Sequence, residues 1–585
     1  MIKIVKKVFK LLDSKQKGKM VLLIFMMLIG AVLETLGVSM ILPVMNVVLE
    51  DNAVENHVYL QWICNWFSIS YDDTKTLMII VMTGLILAFV VKNAYLFLQQ
   101  KVQLKFVYTN QFATSRRMMI NFMKRPYEYY LNAETAVIQR TITSDVINMY
   151  GLILSLLSLT SEAIVFVCLI AVSLYTDVWM TVTVAVLLVG VLLIIMFILK
   201  PIMNKAGQEN QDYYSGLYKW IEQSVLGIKE IKIANKEDYF IRNYSHCGNG
   251  YVSAVQRYSL FNATPRLLIE TVAIAGMILY VMYSLTHGAE VFDIMPQITL
   301  LALVAMRLIP CANRINNHLT AIAYFEPFLM SVSDDLQDEI SDNDIDYSED
   351  TYETKQKVEK LPIKKKLELK DITYRYPNTD VKIFDHADML VPIGQSVGIV
   401  GSSGAGKTTV VDILLGLLKL ESGEILADEV PTSRNYHGFL KNVGYIPQTI
   451  FMIDGSIRDN VAFGVDPEDI DDEKVWYALK QAQLDEFVRG LPEGLDSGIG
   501  ERGIRISGGQ RQRIGIARAL FEDPEVLVLD EATSALDGET EAAIMESINY
   551  LHGKKTLIII AHRLQTIEKC DMVYRVENGK ITRER

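Results

Sequence analysis

Residues 401–409 read Gly401, Ser402, Ser403, Gly404, Ala405, Gly406, Lys407, Thr408, Thr409. The apolar run Val397-Gly398-Ile399-Val400 precedes them and a second, Val410 to Leu418, follows, so the pattern is strand, glycine loop, helix. Glycines there let backbone N–H groups converge on phosphate oxygens at a helix N-terminus. Lys407 is then placed to neutralise β and γ phosphates, and Thr408 to offer its hydroxyl to Mg²⁺. A glycine loop alone is a weak signal; the flanking strand and helix and the Lys-Thr pair make it specific. Farther along, Val526-Leu527-Val528-Leu529-Asp530 reads as a buried strand ending in a carboxylate, with Glu531 next. Asp530 can hold Mg²⁺ through water and Glu531 can polarise an attacking water. Beside a phosphate loop, these acids read as metal and hydrolysis groups rather than ordinary strand-end carboxylates.

The elements that carry these residues occupy only part of the chain. At 585 residues it is too long for one domain. Its mean hydropathy is positive (+0.21), with the apolar residues concentrated before residue 330 and a mixed, charged composition after it. The net charge of −12 is localised: Asp334, Asp335, Asp338, Glu339, Asp342, Asp344, Asp346, Glu349, Asp350 and Glu353 follow one another without an intervening Lys or Arg. That run reads as a solvated linker over 331–362. The five cysteines show no C-x-x-C spacing, which argues against a metal cluster or a disulfide framework. Lys3, Lys6, Lys7 and Lys10 precede a long apolar stretch without a small-residue cleavage site. Residues 1–19 are therefore expected as an amphipathic lead-in helix along the cytoplasmic surface, followed by a retained first span.

Crossing lipid takes about 20 apolar residues in a helix. Six stretches qualify, at 20–49, 77–99, 149–175, 178–199, 259–286 and 291–313, within a membrane domain of 20–330. The connections after the second and fourth are long and basic, with Lys101, Lys105, Arg116, Arg117, Lys124, Arg125 and Arg140 in one, and Lys200, Lys205, Lys219, Lys229, Lys232, Lys236, Arg242 and Arg257 in the other. The remaining connections hold only Lys75, so the basic segments and both termini are expected to be cytoplasmic. The membrane helices are expected to continue into those segments. Topology alone leaves a channel or a membrane-anchored enzyme open.

Ile506-Ser507-Gly508-Gly509-Gln510, upstream of Asp530, resembles the signature motif of the ABC transporters, with Ile506 where leucine is usual. Similar to the same family are Gln448 in Tyr445-Ile446-Pro447-Gln448, the segment Ser534-Ala535-Leu536-Asp537, and His562 after the apolar run Thr556 to Ile560. Tyr376 in Tyr374-Arg375-Tyr376-Pro377 matches the adenine-stacking aromatic, and Glu501 in Gly500-Glu501-Arg502-Gly503 matches a loop typical of exporters. The resemblance implies an α-helical membrane domain of six transmembrane helices of the ABC exporter type, joined to a cytosolic α/β P-loop ATPase domain over 363–585. It implies ATP and Mg²⁺ as cofactors: Glu531, His562 and Gln448 catalytic, Thr408, Gln448 and Asp530 toward the metal, Tyr376 and Gly401 to Thr409 on the nucleotide. In such proteins the Ser507, Gly508, Gly509 and Gln510 positions cap the γ-phosphate held by the partner subunit's loop. One chain cannot complete either site, so a second identical chain is implied. Asn132 to Arg140 and Ile231 to Phe240 are the expected helices that dock near Gln448.

Ionisable residues inside spans cost about 2.5–3.5 kcal/mol each at the bilayer centre, so they face a cavity or a partner. Here they are Glu34, Lys92, Glu162, Arg266, Glu270, Arg307 and Arg314. Lys92, Arg266, Arg307 and Arg314 are the candidate substrate cations, fitting an anionic lipid head group or a pyrophosphate. On charge alone, a structural role, with Arg266 and Glu270 paired four apart, is equally open. Ala263-Thr264-Pro265-Arg266 and Met306 to Arg314 resemble the bacterial flippases for lipid-linked oligosaccharides. That resemblance implies a polyprenyl-pyrophosphate-linked oligosaccharide or similar anionic glycolipid as substrate, a bacterial plasma (inner) membrane, and an outer interfacial helix near Tyr59 to Phe67 carrying Trp62 and Trp66. Exporters of other lipids, drugs or peptides, and an ATP-gated channel, are the alternatives. The apolar stretches and the absence of basic grooves argue against nucleic acid as partner.

Overall fold

A computed structural model describes residues 2–39, 53–68, 70–71, 74–176, 178–286, 291–337, 358–531, 546, 548, 550–560 and 567–585. The chain divides into two units: residues 1–125 with 133–341, and residues 126–132 with 342–585.

The first unit is helical. Helix Ile2–Leu11 buries Ile4 and Val8, one turn apart, and leaves Lys3, Lys6 and Lys10 exposed, which makes it amphipathic. Helix Ser14–Ser39 already starts at residue 14, so the lead-in ends near Leu11 rather than at 19. Long helices follow at Thr74–Lys124, Val146–Thr176, Val178–Leu226, Glu237–Thr286 and Val291–Gln337. At 1.5 Å per residue, Thr74–Lys124 is about 75 Å long, more than twice the ~30 Å hydrocarbon layer, so it continues past the apolar stretch as expected. Val178–Leu226 likewise passes through Pro201 without ending. Among the described residues, three helices are long and apolar enough to cross a membrane, within Ser14–Leu36, Lys75–Lys124 and Thr135–Ala171. Small residues such as Ala31, Ala206 and Ala312 sit in the buried helix contacts with Phe166, Met203 and Phe328. The segment near Trp62 is a helix, Val58–Phe67, burying Leu60 and Cys64 and exposing Trp62 and Trp66 on the opposite face.

The acidic linker begins later than residue 331. Helix Val291–Gln337 runs on because Phe328, Leu329 and Val332 are buried. The first two acids of the run lie on this helix and are ion-paired: Asp334 with Lys7 at 2.7 Å and Asp335 with Arg125 at 3.0 Å. Asp338 to Glu353 lie outside the described residues.

The second unit holds two sheets. An antiparallel sheet has order β2-β1-β4-β5, from β1 (Lys366–Arg375), β2 (Lys382–Pro392), β4 (Ser422–Ala427) and β5 (Val430–Pro431). The other runs β10-β9-β3-β8-β7-β6, with β3 (Ser396–Val400), β6 (Val443–Ile446), β7 (Val526–Asp530), β8 (Thr556–Ile560), β9 (Met572–Glu577) and β10 (Lys580–Arg583). From β9 to β6 it is parallel, and β3, β7 and β8 are buried at every residue, as a strand covered on both faces requires. Their period of two divides the core: Leu527, Leu529, Leu557 and Ile559 face one hydrophobic cluster, Val526, Val528, Ile558 and Ile560 the other. The short helix Tyr127–Tyr130 belongs to this unit; Lys419 N–H donates to the Glu128 carboxylate at 3.0 Å. Residues 133–140, the rest of the expected docking segment, belong to the helical unit.

Candidate functional site

Three parallel strands deliver the chemistry at their carboxyl ends, where ligands of such sheets bind. β3 runs into the glycine loop, β7 ends in Asp530, and β6 leads to Gln448, with β8 hydrogen-bonded between β3 and β7. Lys407 opens helix Lys407–Leu414, is only 5% exposed, and donates to Gly401 O and Ser402 O, each at 3.1 Å. Gly404 and Gly406 have φ of +80° and +101°, and a Cβ on Gly401 would stand 2.5 Å from Val576 O. A side chain is thus disfavoured by the left-handed backbone at Gly404 and Gly406 and blocked by the Val576 carbonyl at Gly401.

Asp530 is buried, hydrogen-bonded by Thr408, and accepts from the Tyr445 hydroxyl at 3.5 Å. Burial, then the charge of Glu531, raises its pKa. Asp412, one turn beyond Thr408, is pushed up to about 6 by burial and by Asp530. So many acids in so little water form a site short of positive charge. Glu531 adopts φ +50°, held by its N–H on Ile560 O at 3.2 Å, and its carboxylate accepts from Gln448 Nε2 at 2.7 Å. Tyr376 and Thr409 share a hydroxyl hydrogen bond of 2.9 Å, and the Tyr376 ring stands edge-on to Tyr374 at 5.3 Å.

Ser507 caps helix Gly508–Leu520: its Oγ accepts from Gln510 N at 3.2 Å and its N–H donates to Gln510 Oε1 at 2.8 Å. Among the described residues no hydrogen bond joins Ser507, Gly508, Gly509 or Gln510 to the phosphate loop. His562 and Ser534 to Asp537 lie outside the described residues.

Two family models match the chain: the ABC transporter transmembrane region over residues 20–307 and the ABC transporter over residues 384–534, together about three quarters of its length. The chain belongs to the ABC transporters. Its curated relatives include ABC transporter B family member 29, chloroplastic, of Arabidopsis thaliana, 39% identical over 37% of this chain and 34% of that one. Another is the ATP-dependent lipid A-core flippase of Pseudoalteromonas translucida, 38% identical over 37% of this chain and 38% of that one. The ABC multidrug transporter MDR2 of Trichophyton rubrum is 39% identical over 37% of this chain and 16% of that one. The matched stretch thus spans about a third or less of these relatives' own length. The solved structure of a bacterial Atm1-family ABC exporter with ATP bound has the same fold, with a TM-score of 0.76, 20% identity, and coverage of 97% and 95% of the two chains. This is an ABC exporter fold: a helical membrane unit and an ABC ATPase unit.

The ATPase unit of this ABC transporter fits ATP and Mg²⁺. Lys407 occupies its own loop carbonyls, leaving a buried ammonium for phosphate oxygens, and Thr408 with Asp530 forms an oxygen pair of the hard-ligand type Mg²⁺ takes. Tyr445 and Asp412 were given no role from the sequence. The position of Asp412, four residues past Thr408 and so on the same helix face, is the signal that could have found it.

The proposed substrate cations lie on three helices. Lys92 lies 4.6 Å over the Phe89 ring. Arg314 Nε donates to Glu162 Oε1 at 2.7 Å. Arg266 and Glu270 are both exposed on helix Glu237–Thr286, and no ion pair between them is seen among the described residues. Arg307 lies on helix Val291–Gln337 with its side chain outside the described residues.

Proposed function

We propose that this chain is half of a homodimeric, ATP-driven flippase that moves a polyprenyl-pyrophosphate-linked oligosaccharide, or a similar anionic glycolipid, from the inner to the outer leaflet of a bacterial plasma membrane, with both termini cytoplasmic. The carrying observation is the cluster of Lys407, Thr408, Asp530, Glu531 and Gln448 at adjoining strand ends, in a chain whose other unit is built of long apolar helices. Lys407 and the loop N–H groups would bind the phosphates, and Thr408, Gln448 and Asp530 would hold Mg²⁺. The bound Mg²⁺–ATP supplies the phosphoryl group whose hydrolysis drives the cycle. Glu531, oriented by Gln448, accepts the proton of the attacking water, and His562 is the further catalytic group that the family resemblance implies. Ser507 and the N-terminus of its helix act on the partner's loop, so that nucleotide favours the closed pair of ATPase units and its loss releases them.

Two observations support the glycolipid. Arg266, Arg307 and Arg314 lie on the consecutive helices Glu237–Thr286 and Val291–Gln337, and several relatives bear the name lipid A-core flippase. The Arg314–Glu162 pair and the relatives named multidrug transporters favour a second reading, an exporter of other lipids, drugs or peptides. The deciding experiment is ATP-dependent translocation of a labelled polyprenyl-pyrophosphate oligosaccharide in liposomes by wild type, Glu531→Gln and the double variant Arg307→Ala with Arg314→Ala. The proposal expects flipping by wild type only. A wild type that hydrolyses ATP and flips nothing moves the chain to the second reading, and a flipping double variant removes the cationic contact.

A further inference from the structure

A cavity of about 430 Å³ opens in the helical unit, on the stretches of four long helices that lie beyond their apolar segments. Its size is that of a small-molecule site. Five of its lining rings are tyrosines: Tyr214, Tyr218, Tyr251, Tyr258 and Tyr324. We propose that this cavity binds neutral, hydroxyl-rich sugar units of the transported lipid's head group; the assignment rests on the flippase reading above.

The chemistry of the lining selects the ligand class. None of its residues carries a charge. Of the ionisable side chains next to them in sequence, Asp145 pairs with Arg140 at 3.2 Å, Glu209 with Arg257 at 2.8 Å and Lys219 with Glu134 at 3.9 Å, while Glu326 accepts from the Asn204 amide at 3.4 Å. A phosphate or an ammonium ion would enter without a counter-ion, which is costly away from water. A purely hydrocarbon ligand would strip water from the hydroxyl and amide groups that the cavity presents through its tyrosines, Ser144 and Asn148. A sugar satisfies both conditions, laying its C–H faces on aromatic rings and its hydroxyls against amides and phenols.

The rings are also fixed in advance. Tyr258 and Tyr324 stack at 4.1 Å, Tyr214 meets Tyr218 edge-on at 5.3 Å and lies tilted against Tyr251 at 5.4 Å, and the Asn210 amide donates to the Tyr324 hydroxyl at 2.8 Å. Such packing lowers the ordering cost of binding. Placement adds an independent argument. Tyr258 and Tyr324 stack across consecutive helices, and each lies on the far side of a candidate cation from the apolar stretch. Arg266 is eight residues from Tyr258 and Arg314 is ten from Tyr324, about 12 and 15 Å along the two axes. A head group with its pyrophosphate at the cations and its sugars one step farther from the lipid matches that spacing.

The test uses the full-length protein in nanodiscs and, as probe, a neutral N-acetylhexosamine trisaccharide free of lipid and phosphate, followed by saturation-transfer NMR. Tyr214→Phe and Tyr251→Phe keep the rings and remove one hydroxyl each; an unchanged melting temperature shows that the fold survives. The expected result is saturation transfer to the trisaccharide from wild type, weakened about three- to tenfold by each substitution. No transfer from wild type, transfer that both variants retain in full, or transfer confined to a hydrophobic cationic dye overturns the assignment. A liposome arm separates this failure from that of the flippase reading. Variants that slow the sugar-bearing lipid but not bare polyprenyl pyrophosphate support the cavity, and equal rates on both overturn it while flipping stands. A wild type that binds the sugar yet flips neither lipid refutes the flippase reading and keeps the cavity.

Discussion

In the proposed mechanism Glu531 is the residue on which hydrolysis turns. Its φ of +50° costs a non-glycine residue about 1 kcal/mol, and the local structure sustains it through the Ile560 carbonyl and the Gln448 amide. The strain fixes the carboxylate at the strand end beside Asp530. Glu531→Gln keeps the shape and a bond to Gln448 but removes the proton acceptor, so phosphate release should fall about 10²- to 10⁴-fold while ATP binding persists. Loss of nucleotide binding in a folded Glu531→Gln protein would point to a binding role instead. Tyr445 shows what reading along the chain overlooks: it sits in a recognised motif, yet its contact with Asp530, 85 residues away, exists only because β6 and β7 are paired.

At the level of elements, the phosphate loop is a backbone device. Gly404 has φ +80° with open space at its Cβ position, whereas Gly406 has φ +101° and a Cβ there would stand 3.1 Å from both Ile383 and Phe384. Alanine at either position meets a backbone penalty of about 1 kcal/mol. Gly406→Ala adds crowding from β2, and calorimetry of the nucleotide-free protein should therefore show it clearly less stable than Gly404→Ala. Equal melting temperatures would mean that Phe384 yields without cost. Helix Val291–Gln337 carries the complementary lesson: its last two turns are acidic and read as linker, but burial of Val332 and ion pairs to Lys7 and Arg125 keep them helical.

On the scale of the whole molecule, the signature helix and the phosphate loop of one chain share no hydrogen bond among the described residues, in line with a site completed between two chains. Lys407→Ala and Ser507→Ala should each be inactive alone. Co-reconstituted in equal amounts they should recover about a quarter of wild-type ATPase activity, because half the dimers are mixed and each mixed dimer contains one intact site. If both residues served the same chain's site, the mixture would stay inactive.

Much of this was legible along the chain. The strand-loop-helix around Lys407, the strand ending in Asp530, the amphipathic first helix and the helices running beyond their apolar stretches all follow from residues within a few turns of one another, where backbone sterics and hydropathy period decide the outcome. The family's motifs carried the roles of Glu531 and Gln448 as well. Only the tertiary structure grouped Pro126–Asn132 with the ATPase unit. It also decided that Arg314 pairs with Glu162, 152 residues earlier. Five tyrosines drawn from three helices become one cavity in the same way. These are long-range pairings set by how helices pack, and hydropathy along one helix does not encode which neighbour its polar side chains meet.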